Sequence, residues 1–406
     1  MDIMPEETPL FRYMESVMRE EAERYGFGEI RTPMMEYTDL FVRGVGDTTD
    51  VVQKEMYTFA DRDEERSVSL RPEGTSSVVR AIIENGRCSD TMPMKLYYII
   101  SCFRHEKPQA GRSREFFQFG TEMFGTDSPV ADATVIALAH AVLSRLGLGE
   151  AVKLHINSIG CETCRPVYRQ ALVDYYTAHE RKLCDTCKQR LVKNPLRLLD
   201  CKNPDCHALA AGAPRTLDHL CPDCKAKFDT LCRALDEMHV PYMVDSSIVR
   251  GLDYYTGTVF EFVAEGIGAQ STVCGGGRYN GLVSSLGGPD LPGIGFGMGL
   301  TRVLLAMKAV GAPAPASPVP KIYVAALGEA AQVRALGMVE RLRREGVYAE
   351  CDIVGRSLKA QMKYANKLGA RYTLIVGDAE LESGRAPLRC MEDGTQTEVD
   401  LATFTV

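Results

Sequence analysis

Apolar positions along the chain follow first a helical rhythm and then a strand rhythm. Phe11, Met14, Met18, Ala22 and Tyr25 recur at helical spacing among charges, which predicts an amphipathic first helix. Gly26 and Gly28 break it, and EIRTPMMEY reads as a strand interrupted by Pro33. KLYYIISCFRHE and REFFQFGTEMFG are both β-rich and flank the turn-like PQAGRS, a hairpin with a basic, glycine-containing loop. A helix is predicted over 131–146 and a strand at VKLHINSI. From Cys161 to about Val240 the pattern turns helical and cysteine-dotted, which predicts an inserted module. The β pattern resumes at RGLDYYTGTVFEFV and runs through CGGGRYNGL. It ends in GIGFGMGLTRVLLAM, strand-like first and helical after Gly299.

GAPAPASPVP, residues 311–320, is a Pro/Ala/Ser linker. Beyond it IYVAAL, VYAECDI and YTLIVG alternate with helical segments, the pattern of a small α/β domain with a largely parallel sheet. The expected domains are 1–310, with a helical insertion at about 165–240, and 321–406 after the linker.

Composition narrows the class. At 406 residues, 45% hydrophobic and 25% charged, the chain is expected to be a soluble protein of two or three domains. No apolar run reaches the ~20 residues of a membrane helix. The opening MDIMPEETPLF carries acids and prolines rather than a basic stretch followed by an apolar one, so no signal peptide is expected. A net charge of −7 excludes a global electrostatic footprint for nucleic acid, so any RNA contact must be local. With no export signal, the 14 cysteines are expected to be reduced.

Several runs carry chemistry. In FRHEKPQAGRSREFFQFGTE, strand alternation puts Phe116, Gln118, Gly120 and Glu122 on one face. Arg104 and Glu106 are expected to share a face of the first strand, with Arg112 and Arg114 in or beside the loop. Guanidinium forks match phosphate oxygens, so this is a candidate nucleotide cradle; a charged hairpin is the plain alternative. LRPEGT places Glu73 and Thr75 at a strand end, where Glu73 would suit an ammonium group. The glycines of GIGFGMGLTR superficially resemble a dinucleotide fingerprint. That needs a βαβ unit and a following acidic residue; here the helix runs into the proline linker, which excludes the reading.

In this order the segments resemble the class II aminoacyl-tRNA synthetases: helix and proline-interrupted strand, FRHE…RSREF, and a glycine strand ending in Arg302. RGLDYYTGTVFEF and CGGGRYNGLV are similar to the signature runs of the histidyl-tRNA synthetase family, over essentially the whole chain. The resemblance implies an α+β catalytic domain with an antiparallel sheet, an anticodon-binding α/β tail and a cytoplasmic homodimer joined across the first motif. It implies ATP-dependent, Mg2+-assisted activation of L-histidine and its transfer to tRNA(His). Glu73, Thr75 and Gln118 would receive the α-amino group, Glu122 and Tyr255 the imidazole nitrogens, with Tyr254 shaping the pocket. Arg104 would bridge the carboxylate and the α-phosphate, Phe116 would stack on adenine, and Arg112 and Arg302, with Glu106 nearby, would serve ATP. Arg250 would stabilise the α-phosphate during attack. Thr301 stands where the family usually has glutamate, so a hydrogen bond orienting Arg302 is expected to be missing. The family also commonly has a few more residues before the DIMP segment, so a short edge strand is expected to be absent. The rival within this fold is a non-catalytic regulatory subunit of ATP phosphoribosyltransferase. Such paralogues typically lack the tail and lose catalytic or signature residues, whereas this chain keeps Arg104, Arg250, Arg302 and the tail.

Two features are less specific. Cys161/Cys164, Cys184/Cys187 and Cys221/Cys224 are C-x-x-C pairs and Cys201/Cys206 is a looser one. Such spacing fits a structural zinc with four ligands among Cys184, Cys187, Cys201, Cys206, Cys221 and Cys224, Cys161/Cys164 standing apart; buried free thiols are the alternative. In the tail, Arg356, Lys359, Lys363 and Lys367 fall on one helical stripe, beside an apolar stripe of Leu358, Met362, Ala365 and Leu368. The basic stripe, and Lys107, Gln109 and Arg114 near the hairpin loop, are expected to meet tRNA.

Overall fold

The computed structural model describes residues 2–47, 49–62, 65–107, 109, 111–199, 201, 203–248, 252–264 and 272–406. The chain forms two compact units, 1–315 and 316–406.

The first unit is built on a sheet of eight strands among the described residues. Their order is Gly28–Glu29, Met94–Phe103, Glu115–Phe124, Gly293–Gly299, Thr272–Arg278, Thr256–Ala264, Val152–Ser158 and Met243–Val244. The five inner pairings are antiparallel and the two short edge strands pair parallel. Helices cover one face. In Thr8–Arg24, Met14, Met18 and Ala22 are fully buried while the charged positions other than Glu21 are exposed or half-buried. Pro129–Arg145 packs beside it and carries buried residues all round, as a helix enclosed between layers does. Each fully buried Leu, Ile or Phe of this layer is worth about 1.5–3 kcal/mol of transfer free energy.

EIRTPMMEY does not form one interrupted strand. Pro33 has no N–H to give a ladder, and the segment splits between two sheets. Gly28–Glu29 edges the large sheet, whereas Met35–Tyr37 joins Ser67–Leu70 and Thr58–Ala60 in a small antiparallel one. Arg71, only 5% exposed, ties the split together by donating to the carbonyls of Thr32, Pro33 and Ser101.

The cysteine-dotted stretch contains helices Cys164–Ala178, Asp185–Lys193 and Pro204–Ala210 around a small core of Tyr168, Leu172, Tyr176, Leu191 and Leu198. Pro222–Glu237 behaves differently. Its Phe228, Leu231 and Leu235 join the main core against Pro129–Arg145, so this helix packs with the large sheet.

In the second unit Ala349–Cys351, Ile322–Ala326 and Tyr372–Val376 are parallel neighbours. The sheet is less uniformly parallel than its pattern predicts, because Arg385–Cys390 and Gln396–Asp400 add an antiparallel hairpin. Both strands are largely exposed, so they lack the continuous apolar run of the inner strands.

Candidate active site

The hairpin of Met94–Phe103 and Glu115–Phe124 aims the site. Its register sets Tyr98 opposite Gly120, Leu96 opposite Glu122 and Ile100 opposite Gln118. Gly120 has no side chain, and a Cβ there would lie 2.3 Å from the Tyr98 hydroxyl oxygen. The missing atom lets the Tyr98 ring cross the strand and donate to Glu122 Oε1 at 3.0 Å. Thr75 donates to the same oxygen at 2.8 Å and Tyr279 donates to Oε2 at 2.5 Å. Glu122 is fully buried, and burial pushes its carboxyl up to about 8 against the opposing effect of the three hydroxyls. A carboxylate offers about four acceptor directions, and three are taken here.

A cavity of about 80 Å³ opens in front of this group, walled by Glu73, Thr75, Tyr98, Arg104, Gln118, Tyr254, Tyr255 and Tyr279, with Gly295 and Gly297 in its floor. Glu122 lies behind that wall rather than in it. Glu73 is buried and caps the helix Thr75–Glu84, accepting from the backbone N–H groups of Thr75 at 2.7 Å and Ser76 at 2.9 Å. Gln118 accepts a weak bond from Cys102 at 3.7 Å, whose thiol burial raises to about 12. Tyr254 and Tyr255 pack with their rings tilted by 50° and centroids 4.7 Å apart, and Tyr254 meets Tyr279 edge-on at 5.8 Å. Sequence reasoning passed over Tyr98 and Tyr279. Strand alternation facing Gly120 was the available signal for Tyr98, and Tyr279 lies within CGGGRYNGL.

The glycine strand lines this cavity. Gly295 and Gly297 also make room for protein side chains: Cβ atoms there would lie 2.0 Å from Glu122 Oε2 and 2.3 Å from Gln118 Nε2.

Three arginines gather at one end of the cavity. Arg104 and Glu106 do not share a strand face, because the strand ends at Phe103 and both lie beyond it. Arg104 donates to the Pro72 carbonyl at 2.9 Å and sits 5.6 Å over the Phe116 ring. Arg112 pairs with Glu106 at 2.7 Å. Arg302, in the first turn of Leu300–Val310, donates to the carbonyls of Gly111 at 3.3 Å and Thr272 at 2.8 Å. Burial first, and then Arg112 and Arg104, depress its pKa. Like charges held this close favour a polyanion between them. The two carbonyls hold Arg302 in the absence of a glutamate at position 301. Lys107, Gln109 and Arg114 are exposed around the hairpin loop. Arg250, expected beside this cluster, lies outside the described residues.

A family model described as "Histidyl-tRNA synthetase" matches residues 1–303, and one described as "Anticodon binding domain" matches 321–405. A histidine--tRNA ligase of Acetivibrio thermocellus is 52% identical over 403 residues, covering 99% of this chain and 96% of that one. This chain belongs to the histidyl-tRNA synthetase family. A histidine--tRNA ligase of Desulforamulus reducens is 50% identical over 400 residues, 98% of this chain and 95% of the relative. The crystal structure of apo S. aureus histidyl-tRNA synthetase superposes with a TM-score of 0.83 at 36% identity, covering 99% of this chain and 96% of that one. The family's antiparallel sheet and C-terminal anticodon-binding domain are those described above.

Two features outside the cavity depart from expectation. The cysteines form two quartets instead of one. Cys161, Cys164, Cys221 and Cys224 gather at the base of the insertion, and Cys184, Cys187, Cys201 and Cys206 gather inside it. Cys221 and Cys224 therefore belong with Cys161 and Cys164, since the helix they open packs on the main core. In the tail, Lys359, Lys363 and Lys367 are exposed along Leu358–Lys367 while Leu358, Met362, Ala365 and Leu368 face the core. Arg356 departs from the stripe: it pairs with Asp352 at 2.7 Å and lies 4.4 Å over Tyr364. Among the described residues no helix is long and apolar enough to cross a membrane.

Proposed function

We propose that this chain activates L-histidine with ATP, forming histidyl-adenylate and pyrophosphate, and transfers the histidyl group to tRNA(His). The observation that carries it is the small polar cavity in front of buried Glu122, lined by Glu73, Thr75, Gln118, Tyr254 and Tyr255 with Arg104 among them. The imidazole takes the cavity in front of Glu122, one nitrogen toward that carboxyl and the other toward Tyr255, with Tyr254 against the ring. Glu73, Thr75 and Gln118 take the α-ammonium. A ligand without ring nitrogens would strand these polar groups, which makes the discrimination steep.

The histidine carboxylate is already ionised, so its attack on the α-phosphorus needs no general base. Arg104 bridges carboxylate and α-phosphate, and Arg250 is assigned to the developing phosphoryl charge, where a cation lowers the barrier without proton transfer. Phe116 stacks on adenine, and Arg112 and Arg302 hold the leaving pyrophosphate. Mg2+ enters with ATP, and Glu106, at the arginine cluster, would help to hold it. Bound there, it would neutralise phosphate charge.

Residues 1–310 carry this chemistry and 321–406 read the anticodon through Lys359, Lys363 and Lys367. Lys107, Gln109 and Arg114 approach the acceptor end. A homodimer fits the exposed Met34, Met35, Tyr37 and Phe59 around the small sheet. Cytoplasmic residence suits a translation enzyme with reduced thiols. The cysteine quartets take structural Zn2+. Charging of a tRNA(His) transcript with labelled histidine tests the whole reading. It requires ATP and yields one histidyl ester per active site and turnover; charging with another amino acid instead would overturn it.

A further inference from the structure

The two quartets sit at unlike places, and that difference has a consequence for the histidine pocket. We propose that the chain binds two Zn2+ ions at separate tetrathiolate sites, and that the ion at the base of the insertion clamps both its ends and thereby holds Tyr255 in place. The second part rests on the reading of Tyr255 as a histidine contact.

Each quartet has the dimensions of a tetrahedral thiolate site. With Zn–S bonds of about 2.3 Å, neighbouring sulfurs stand roughly 3.8 Å apart. Here Cys161 Sγ lies 3.7 Å from Cys164 Sγ and 3.9 Å from Cys221 Sγ, and Cys184 Sγ lies 4.0 Å from Cys201 Sγ. All four sulfurs of each quartet fall within 4.8 Å of one another. Disulfide bonding would need sulfurs about 2.05 Å apart, and all eight thiols are free. Each quartet also receives a backbone donor: Cys221 N–H to Cys164 Sγ at 3.1 Å, and Cys184 N–H to Cys206 Sγ at 3.2 Å. Metal-bound sulfurs accept such bonds from their surroundings. On binding, the thiols release their protons to solvent and each sulfur donates a lone pair to the ion, with no change of oxidation state.

The base quartet joins the chain's entry into the insertion, at Cys161 and Cys164, to its exit at Cys221 and Cys224. The entry is bonded directly to the signature run. Ile159 N–H donates to Gly257 O at 2.8 Å and Gly257 N–H donates back to Gly160 O at 3.0 Å. Cys164 opens the helix Cys164–Ala178, and the next residue, Arg165, donates to the Tyr255 carbonyl. Tyr255 packs in one buried cluster with Ile159, Ile248 and Val259. Fixing Cys161 and Cys164 therefore fixes the backbone that carries Tyr255. The inner quartet instead lies in the insertion's own core with Tyr168, Tyr176 and Leu198.

Protein purified without added zinc is expected to contain two zinc ions per chain. C161S/C221S and C184S/C201S are each expected to retain one. In histidine-dependent ATP–pyrophosphate exchange, the first variant raises the KM for histidine about tenfold or more while the KM for ATP stays unchanged. The second leaves both constants unchanged. Metal content near zero, iron in place of zinc, or loss of both ions from either variant would overturn the two-site assignment. Loss of one ion from C161S/C221S with an unchanged histidine KM would overturn the clamp alone. Should that variant not fold, Arg165→Met keeps all eight thiols; it is expected to retain two ions and raise the histidine KM, and an unchanged KM would overturn the clamp. Wild-type protein with two ions but no histidine-dependent exchange would leave the metal sites standing and sink the reading of the pocket.

Discussion

Glu122 and Gly295 face each other across an antiparallel strand pair, and Glu122 Oε2 occupies the space where a Gly295 Cβ would sit, 2.0 Å from it. Gly295→Ala collides with that carboxylate and with the Thr121 carbonyl oxygen, 2.2 Å from the same Cβ, so both must shift. Histidine binding is expected to weaken by about 100-fold, comparable to deleting a buried hydrogen bond outright. Gly297→Ala, which collides with Gln118, is expected to act in the same direction. Separate KM values for histidine and ATP check this; an equal rise in both would indicate general damage.

Glu122 also sets a pH dependence. Its folded pKa of about 8 lies above the ordinary 4.5, so its stabilising contribution is present at low pH, declines above about 4.5 and is lost as pH rises through about 8. Glu122→Gln is expected to flatten thermal stability across that window. For binding, the free site carries a proton below about 8 and the histidine ring is neutral above about 6.5, so the complex shares one proton. Affinity should be flat between those values, falling above from proton uptake and below from proton release. Calorimetry in buffers of different ionisation enthalpy reads this directly, and Glu122→Gln should abolish only the alkaline limb.

Arg302 tests how far a departure from the family pattern matters. Two carbonyls already orient it, so Thr301→Glu is expected to change the KM for ATP by less than about twofold. Arg302→Ala is expected to raise it strongly with little effect on histidine. A large gain from Thr301→Glu would show that the carbonyls do not suffice.

The tail lysines should act on RNA alone. Replacing Lys359, Lys363 and Lys367 by alanine is expected to weaken tRNA binding and to lower its salt slope by about one for each phosphate no longer neutralised. Exchange without tRNA should be unaffected. Arg356→Ala should instead lower the melting temperature, because its charge serves Asp352 and Tyr364. A normal salt slope in the triple variant would remove the stripe from the interface.

Much of this was legible in the sequence because it depends on local pattern. Strand alternation alone put Phe116, Gln118 and Glu122 on one face, and the helical stripe of the tail separated its lysines from its core. What was not legible depends on partners distant in sequence. Nothing near Cys221 says that it meets Cys161 rather than Cys201; that follows from the helix Pro222–Glu237 packing on the main core. Likewise the glycines of GIGFGMG gain their meaning from Glu122 and Gln118 on the neighbouring strand. Arg104 and Glu106 were misplaced because a strand's end is set by its ladder, which stops at the Phe103–Glu115 pair.

The proposed activity turns on histidine activation, in which Arg250 is assigned to the developing phosphoryl charge. Amino-acid-dependent ATP–pyrophosphate exchange measures that step without tRNA. Wild-type protein is expected to exchange with histidine and with no other amino acid, and Arg250→Ala is expected to lose about 100-fold or more in rate while remaining folded. No exchange from folded wild-type protein, or near-normal exchange from Arg250→Ala, would contradict it.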